Sequence, residues 1–197
     1  MRRGLAVACA AAALLLVGAC GEDPNSVAAQ AKSGSRKGYI SGDGSVEKVA
    51  VDQRRQPVRL SGTTVDGKPL SLADYRNSVV VVNVWGSWCG PCEAEAPELK
   101  KAWSSLSGPG RPVKFVGIDF REDPQRGLAA QRRHGLGYPS LSDESGVLIL
   151  GLQGKAPTVP TTLVLDRAGR IAARVSGPIT ASTLTGLVED TLAESAA

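Results

Sequence analysis

The sequence is poor in the residues that staple or metallate a fold. Its 197 residues include four cysteines (Cys9, Cys20, Cys89 and Cys92) and one histidine, His134. Zinc takes four Cys, His or carboxylate ligands, and one CxxC without a second, beside a lone histidine that reads as a solvated helix residue, does not supply them. A disulfide-stapled secreted domain carries more cysteines, spread further along the chain. A bridge across two intervening residues closes too small a loop to remove much entropy from the unfolded chain. Aromatic residues make up only 4% and the basic side chains are dispersed. The net charge of +4 and pI near 9.0 therefore do not indicate a nucleic-acid partner. The apolar run over 5–17 has 13 residues, short of the about 20 that a membrane-spanning helix needs. There is no internal repeat.

That short run has another use. Arg2 and Arg3 precede it and the small residues Gly18 and Ala19 follow it, the layout of an export signal. A cysteine directly after Val17-Gly18-Ala19 resembles the lipobox of bacterial lipoproteins. The resemblance implies that Cys20 carries a diacylglyceryl group and begins the mature chain, with 1–19 removed as signal peptide. The mature chain then has 178 residues and a net charge of +2, enough for one domain and a tether. Residues 20–56 are polar and rich in Gly, Ser and charge, which reads as a flexible tether. The folded domain is expected over 57–193. Cys9 leaves with the signal, so Cys89 and Cys92 remain as the thiols, and redox chemistry is the reading left for them.

From Pro57 onward the pattern is orderly. "VRLSGTTVDGKPLSL" predicts a β-hairpin, with Asp66-Gly67 supplying positive φ at the turn. "SVVVVNVWG" is a continuous valine-rich run, as expected of a strand buried on both faces, and it leads straight into Cys89-Gly90-Pro91-Cys92. A helix follows, with Leu99, Trp103 and Leu106 on one face and Pro97 inside it as a kink. "VKFVGIDF" predicts a second buried strand, "DPQRGLAAQRRHG" a helix, "PTTLVLD" and "RIAARVSG" two strands, and about 180–193 a final amphipathic helix. This is an α/β sandwich around a central mixed sheet.

Trp-Cys-Gly-Pro-Cys after a buried strand, Glu-x-Pro after the pair, and Val159-Pro160-Thr161 opening a strand about 70 residues later together resemble the thioredoxin fold. More narrowly, the region 57–193 resembles the TlpA/ResA-like, membrane-tethered thiol–disulfide oxidoreductases of bacterial envelopes. The fold expected is a thioredoxin-like three-layer sandwich with a central mixed β-sheet and an N-terminal β-hairpin extension. Thiolate is the nucleophile in such chemistry. Cys89 would start the helix, where free backbone amides and the helix dipole favour an anion, and Cys92, one turn in, would resolve the mixed disulfide. Pro91 fits the first turn because its missing N–H is not needed there. The family's cis-proline matches Pro160, which would present the Val159 backbone to an extended substrate, with Trp88 on the exposed rim. Trp85 and Trp103 read as core.

Two departures bear on the mechanism. Thioredoxins place a buried Asp six residues before the first cysteine; here Asn83 stands there and cannot accept a proton as a carboxylate does. Glu95, three residues after Cys92 and on the same helix face, matches an acid–base carboxylate of the TlpA/ResA-like group. Several cytochrome-maturation members carry dipeptides other than Gly-Pro between the cysteines, so the substrate is not fixed by the motif. The resemblance implies reduction of disulfides in exported proteins, apocytochrome c before haem attachment being favoured, with recharging by a membrane thiol reductant. It calls for no cofactor and no metal. The alternatives are a thiol-oxidising envelope enzyme and a peroxiredoxin-like peroxidase, the latter opposed by the lack of a Pro-x-x-x-Thr-x-x-Cys motif ahead of the pair. A lipoprotein binding module with a vestigial pair is the non-enzymatic alternative.

Overall fold

A computed structural model describes residues 45–194. The expectations for the signal 1–19, for the tether up to residue 44 and for lipidated Cys20 fall outside them. The centre of the fold is β4, Val79–Trp85, in which every side chain is buried. Alternation along the pleat sends Val79 and Val81 into one core and Val80, Val82 and Val84 into another, so a strand this apolar is stable only between two layers. β4 pairs in parallel with β5 (Val113–Phe120) and antiparallel with β7 (Thr161–Leu165). The full sheet runs β1-β8-β7-β4-β5-β6, adding β1 (Ser45–Lys48), β6 (Ser140–Asp143) and β8 (Ile171–Ser176).

One face carries α1 (Gly90–Leu106) and α3 (Ala181–Glu194), whose Leu99, Ala102, Leu106, Leu184, Leu187 and Val188 fill the first core. α2 (Pro124–His134) follows β5, and its Ala130 packs with Trp85, Cys89 and Cys92. The opposite face is covered by the hairpin β2–β3 (Ser61–Thr63 and Pro69–Ser71) and by 3-10 turns at Leu72–Tyr75 and Leu148–Leu152. The fold is thus the expected three layers. The hairpin turn is the predicted one, with Gly67 at φ 85° and its N–H bonded to Thr64 O at 2.8 Å. Pro97 lies inside α1 on its exposed side.

Two strands escaped the sequence. β6 is short and polar, and it pairs in parallel with β5 from Gly117↔Ser140 to Phe120↔Asp143. β1 pairs antiparallel with β8, which corrects the placing of 45–56 in the tether: the folded region begins ahead of Pro57. The reason is tertiary and polar. The Arg54 guanidinium is buried against Asp166 (3.1 Å), pairs with Glu194 and donates to Val49 O (3.0 Å), so a charge that reads as solvated lashes the arm to the domain.

Gly117 shows how tightly β4, β5 and β6 are fitted. The Trp85 indole N–H donates to Ser140 Oγ at 3.3 Å, and a Cβ on Gly117 would lie 2.7 Å from that nitrogen and collide with Ser140 Oγ. Gly117→Ala is expected to destabilise the protein by about 1–3 kcal/mol, as overpacking does, read as a lowered urea midpoint. An unchanged midpoint would show that the neighbours yield freely.

Candidate functional site

The end of β4 passes through Gly86, Ser87 and Trp88 to Cys89, which caps the N-terminus of α1. Its Cα lies 5.2 Å from that of Cys92, and the two form a disulfide. Pro91 occupies the first turn of α1 as expected. Cys89 Sγ accepts the N–H of Cys92 at 3.2 Å, so the sulfur that starts the helix already receives a backbone donor. Negative charge developing there is also favoured by the dipole of a 17-residue helix. Both cysteines are buried, about 5% exposed or less.

The cis peptide bond is Val159–Pro160. Pro160 is buried, and Val159 packs against the cluster of Trp85, Cys89, Cys92 and Ala130. The segment is held by Gly177 N–H donating to Pro160 O (2.9 Å) and by Thr161 Oγ1 donating to Thr158 O (2.7 Å). Trp88 is 55% exposed, its indole N–H donating to Phe120 O at 3.0 Å. Trp85 is buried in the cluster with the two cysteines, and Trp103 is partly buried against the core beneath α1 and α3. Cys89, Cys92, Val159 and Pro160 thus come together, with Trp88 next to Cys89 in the chain.

Glu95 lies one turn beyond Cys92 on the same buried face of α1 and is 2% exposed. Asn83 Nδ2 donates to its Oε1 at 2.9 Å and to Thr162 Oγ1 at 3.1 Å, and Ile179 N–H donates to its Oε2 at 3.1 Å. Burial pushes the Glu95 carboxyl up from 4.5 to about 7, against the opposing pull of the hydrogen bonds from Asn83 and Ile179. Asn83 therefore donates to the carboxylate that stands on the helix. Tyr138, buried in the same core, is pushed upward by burial and then by the charge of Glu95.

The sequence reading missed a second acidic group beside the loop. Glu122 accepts the Ser87 N–H at 2.5 Å and also bonds the Ser87 hydroxyl. Asp119, at the end of β5, is fully buried. The signal available was an Asp inside the apolar strand "VKFVGIDF", followed by "REDP". His134, the lone histidine, pairs through Nε2 with Glu93 (2.9 Å), which Arg133 also holds. Among the described residues, no helix is long and apolar enough to cross a membrane.

Residues 53–174 match the AhpC/TSA family. The thiol:disulfide interchange protein HelX of Rhodobacter capsulatus is 33% identical over 129 residues, spanning 65% of this chain and 69% of that protein. The thiol-disulfide oxidoreductase ResA of Bacillus anthracis is 29% identical over 127 residues, spanning 64% and 71%. Among solved structures, a secreted thiol-disulfide isomerase from Corynebacterium glutamicum superposes with a TM-score of 0.68 at 29% identity, covering 78% of this chain and 96% of that one. A DsbF homologue from Corynebacterium diphtheriae gives 0.63 at 29%, covering 77% and 96%. With a cysteine pair closed into a disulfide at the head of a helix and a cis-proline segment packed against it, the chain belongs to the AhpC/TSA family as a thioredoxin-fold thiol–disulfide oxidoreductase of the HelX and ResA kind.

Proposed function

We propose that the protein is a lipid-anchored reductant of the bacterial cell envelope that opens disulfides in exported proteins. On this reading apocytochrome c is the favoured substrate and a membrane thiol carrier restores the dithiol. The observation that carries the reading is the buried Glu95 one turn from Cys92, where the TlpA/ResA-like group has its acid–base carboxylate. The reduced Cys89 thiolate attacks one sulfur of the substrate disulfide and forms a mixed disulfide, and the other substrate sulfur leaves as a thiolate and takes up a proton. Cys92 then loses its proton to Glu95 and attacks Cys89 Sγ. The second substrate sulfur is released and the Cys89–Cys92 disulfide forms. Two electrons pass to the substrate, and its two sulfurs end as thiols. Val159 and Trp88 line the substrate's path, the Val159 backbone beside cis-Pro160 meeting an extended segment.

A thiol-oxidising role is the second reading, favoured by the likeness to the secreted isomerase of Corynebacterium glutamicum. The glutathione equilibrium of the pair separates the two. A reductant lies near the thioredoxin end of the range, about −270 mV, and a strong oxidant near −120 mV. A value at the oxidising end, with no reduction of a CxxCH peptide disulfide, would reverse the assignment. Reduction of hydrogen peroxide at a comparable rate would instead support the peroxidase reading. For the anchor, mass spectrometry of the membrane fraction should find the mature chain starting at a lipid-modified Cys20; an unmodified Cys20 refutes it.

The division of labour has a direct test. Cys92→Ser should accumulate mixed disulfides on Cys89 in the envelope, and Cys89→Ser should accumulate none; the opposite pattern would exchange the roles. Glu95→Gln should slow the resolving step about ten- to a hundredfold, the low end of acid–base contributions, and flatten the pH–rate profile of stopped-flow oxidation near 7. Superimposable profiles would leave Glu95 without a role in proton transfer. The same carboxyl should appear in stability. Because its folded value lies above its unfolded one, the neutral form stabilises the fold at low pH. That contribution is lost as pH rises from about 4.5 through about 7 and is then constant. For the oxidised protein, unfolding free energy relative to Glu95→Gln should fall by about 3 kcal/mol across that window. A flat difference would show that Glu95 does not titrate there.

A further inference from the structure

Trp88, directly ahead of Cys89, belongs to a stack that continues away from the cysteine pair. Its indole N–H donates to Phe120 O at 3.0 Å, and its ring lies 6.5 Å from that of Phe120, at the end of β5. The Arg121 guanidinium in turn covers the Phe120 ring, its Cζ 5.1 Å from the centroid. An exposed indole, a half-buried phenyl and an exposed guanidinium therefore follow one another outward from the residue beside the nucleophile.

Two loops make room for this stack. A Cβ on Gly86 would lie 2.6 Å from Trp88 Nε1, so only glycine there lets the indole fold back over its own loop. A Cβ on Gly146 would lie 2.8 Å from Arg121 Nε and 3.1 Å from the Phe120 ring. Arg121 also takes a φ of 53°, uncommon for a residue with a side chain, and its N–H donates to Asp143 O at 3.0 Å. The guanidinium is thus held in place by backbone and ring, and little of its freedom remains to be lost on binding.

Its charge is nonetheless unspent, since Arg121 forms no ion pair among the described residues. The acids near it in the chain and across the strand are occupied. Glu122 bonds Ser87, Asp123 accepts the Gln125 N–H at 2.8 Å, and Asp143 accepts the N–H groups of Leu148 (2.9 Å) and Ile149 (3.1 Å). Glu144 is exposed and not paired with it. A planar, fixed guanidinium beside apolar rings suits a carboxylate on a chain that lies across those rings.

We propose that Arg121, seated on the Trp88–Phe120 platform, is a specificity-determining residue that pairs with a carboxylate carried by the substrate polypeptide a few residues from its reacting cysteine. The inference rests on thiol–disulfide exchange at Cys89 and deepens the reading of Trp88 as part of the substrate's path.

The test uses peptides of otherwise neutral sequence closed by one Cys-x-x-Cys disulfide. Glu, Gln or Lys is placed at each of about four positions on either side of the disulfide, the reach of an extended chain at ~3.3 Å per residue. Their second-order rates with the reduced protein are followed by stopped flow at low salt. At the best position Glu should react about threefold faster than Gln and Gln about threefold faster than Lys, the size of an exposed ion pair. Added salt should compress the series. Arg121→Gln should level it, and Arg121→Glu should reverse it. Each ratio is taken within one variant, so a general loss of rate or fold drops out. Equal rates in the wild type, a preference for Lys, or a series that survives Arg121→Gln would overturn the proposal. If the protein instead oxidises the peptide dithiols, the reductant reading fails, and the same ratios measured in that direction decide the role of Arg121.

Discussion

Everything in this domain is arranged around a strand that water never touches. Because β4 is buried along its whole length, it must lie between two layers, and the helices and the hairpin supply one each. β5 and β7 flank it with opposite senses. The parallel partner β5 is reached by a crossover through α1, so the chain turns from strand to helix at the end of β4. Cys89 sits at that turn. The same turn exposes the first amides of α1, unpaired within the helix, so the position that the topology gives to the cysteine is the one that favours its thiolate. On the other side, β7 begins immediately after cis-Pro160, with Thr161 in register with Val84. The pair and the proline segment are thus brought together by the pairing of two strands with the same central one.

The site is built from acids in apolar surroundings, and the compensation differs between them. Glu95 accepts hydrogen bonds from two donors, Asn83 Nδ2 and the Ile179 N–H, so its ionised form is disfavoured but attainable near neutrality. Asp119 is fully buried, and the charged groups that act on it are the acids Glu122 and Asp123. Burial raises both carboxyls, Glu95 to about 7 and Asp119 to about 9. Exchange of a thiol for a disulfide moves protons at each step, and a group poised between its two forms is useful where one held in a single form is not.

Much of this was legible in the chain. The valine run, the Asp66-Gly67 turn, the helix beginning at the cysteine pair and the hairpin of β7 and β8 each follow from local pattern. Glu95 could be placed by its spacing from Cys92 alone, and Asn83 marked its own importance by standing where a carboxylate was expected. What failed to show was set by partners distant in sequence. β6 has one apolar residue, Leu141, and its Ser140 is reached by Trp85 past Gly117, where a side chain would not fit. β1 is held by an edge and by Arg54 against Asp166 and Glu194, 112 and 140 residues away. Glu122 reads as a surface residue in "FREDP" until the fold brings Ser87 to it across 35 residues. Polar groups bonded over long separations leave no periodicity.

The two strands that the pattern missed are also the two edges of the sheet. Each is only four residues long, β1 carries Glu47 and Lys48, and β6 meets the hairpin through the bridge Thr64↔Leu141. Short, charged or covered edges offer little to an incoming strand. For an enzyme proposed to act on exported chains with unpaired cysteines, this matters, since an open edge would bind extended polypeptide without regard to cysteine. On the proposed reading, the extended backbone offered to a substrate beside the sulfurs is that of Val159, half-buried against Cys89 and Cys92. Recognition is then confined to the place where a bound segment can also react. On the same reading the short polar strands would serve the same end as the proline segment, one by refusing extended chain and the other by accepting it.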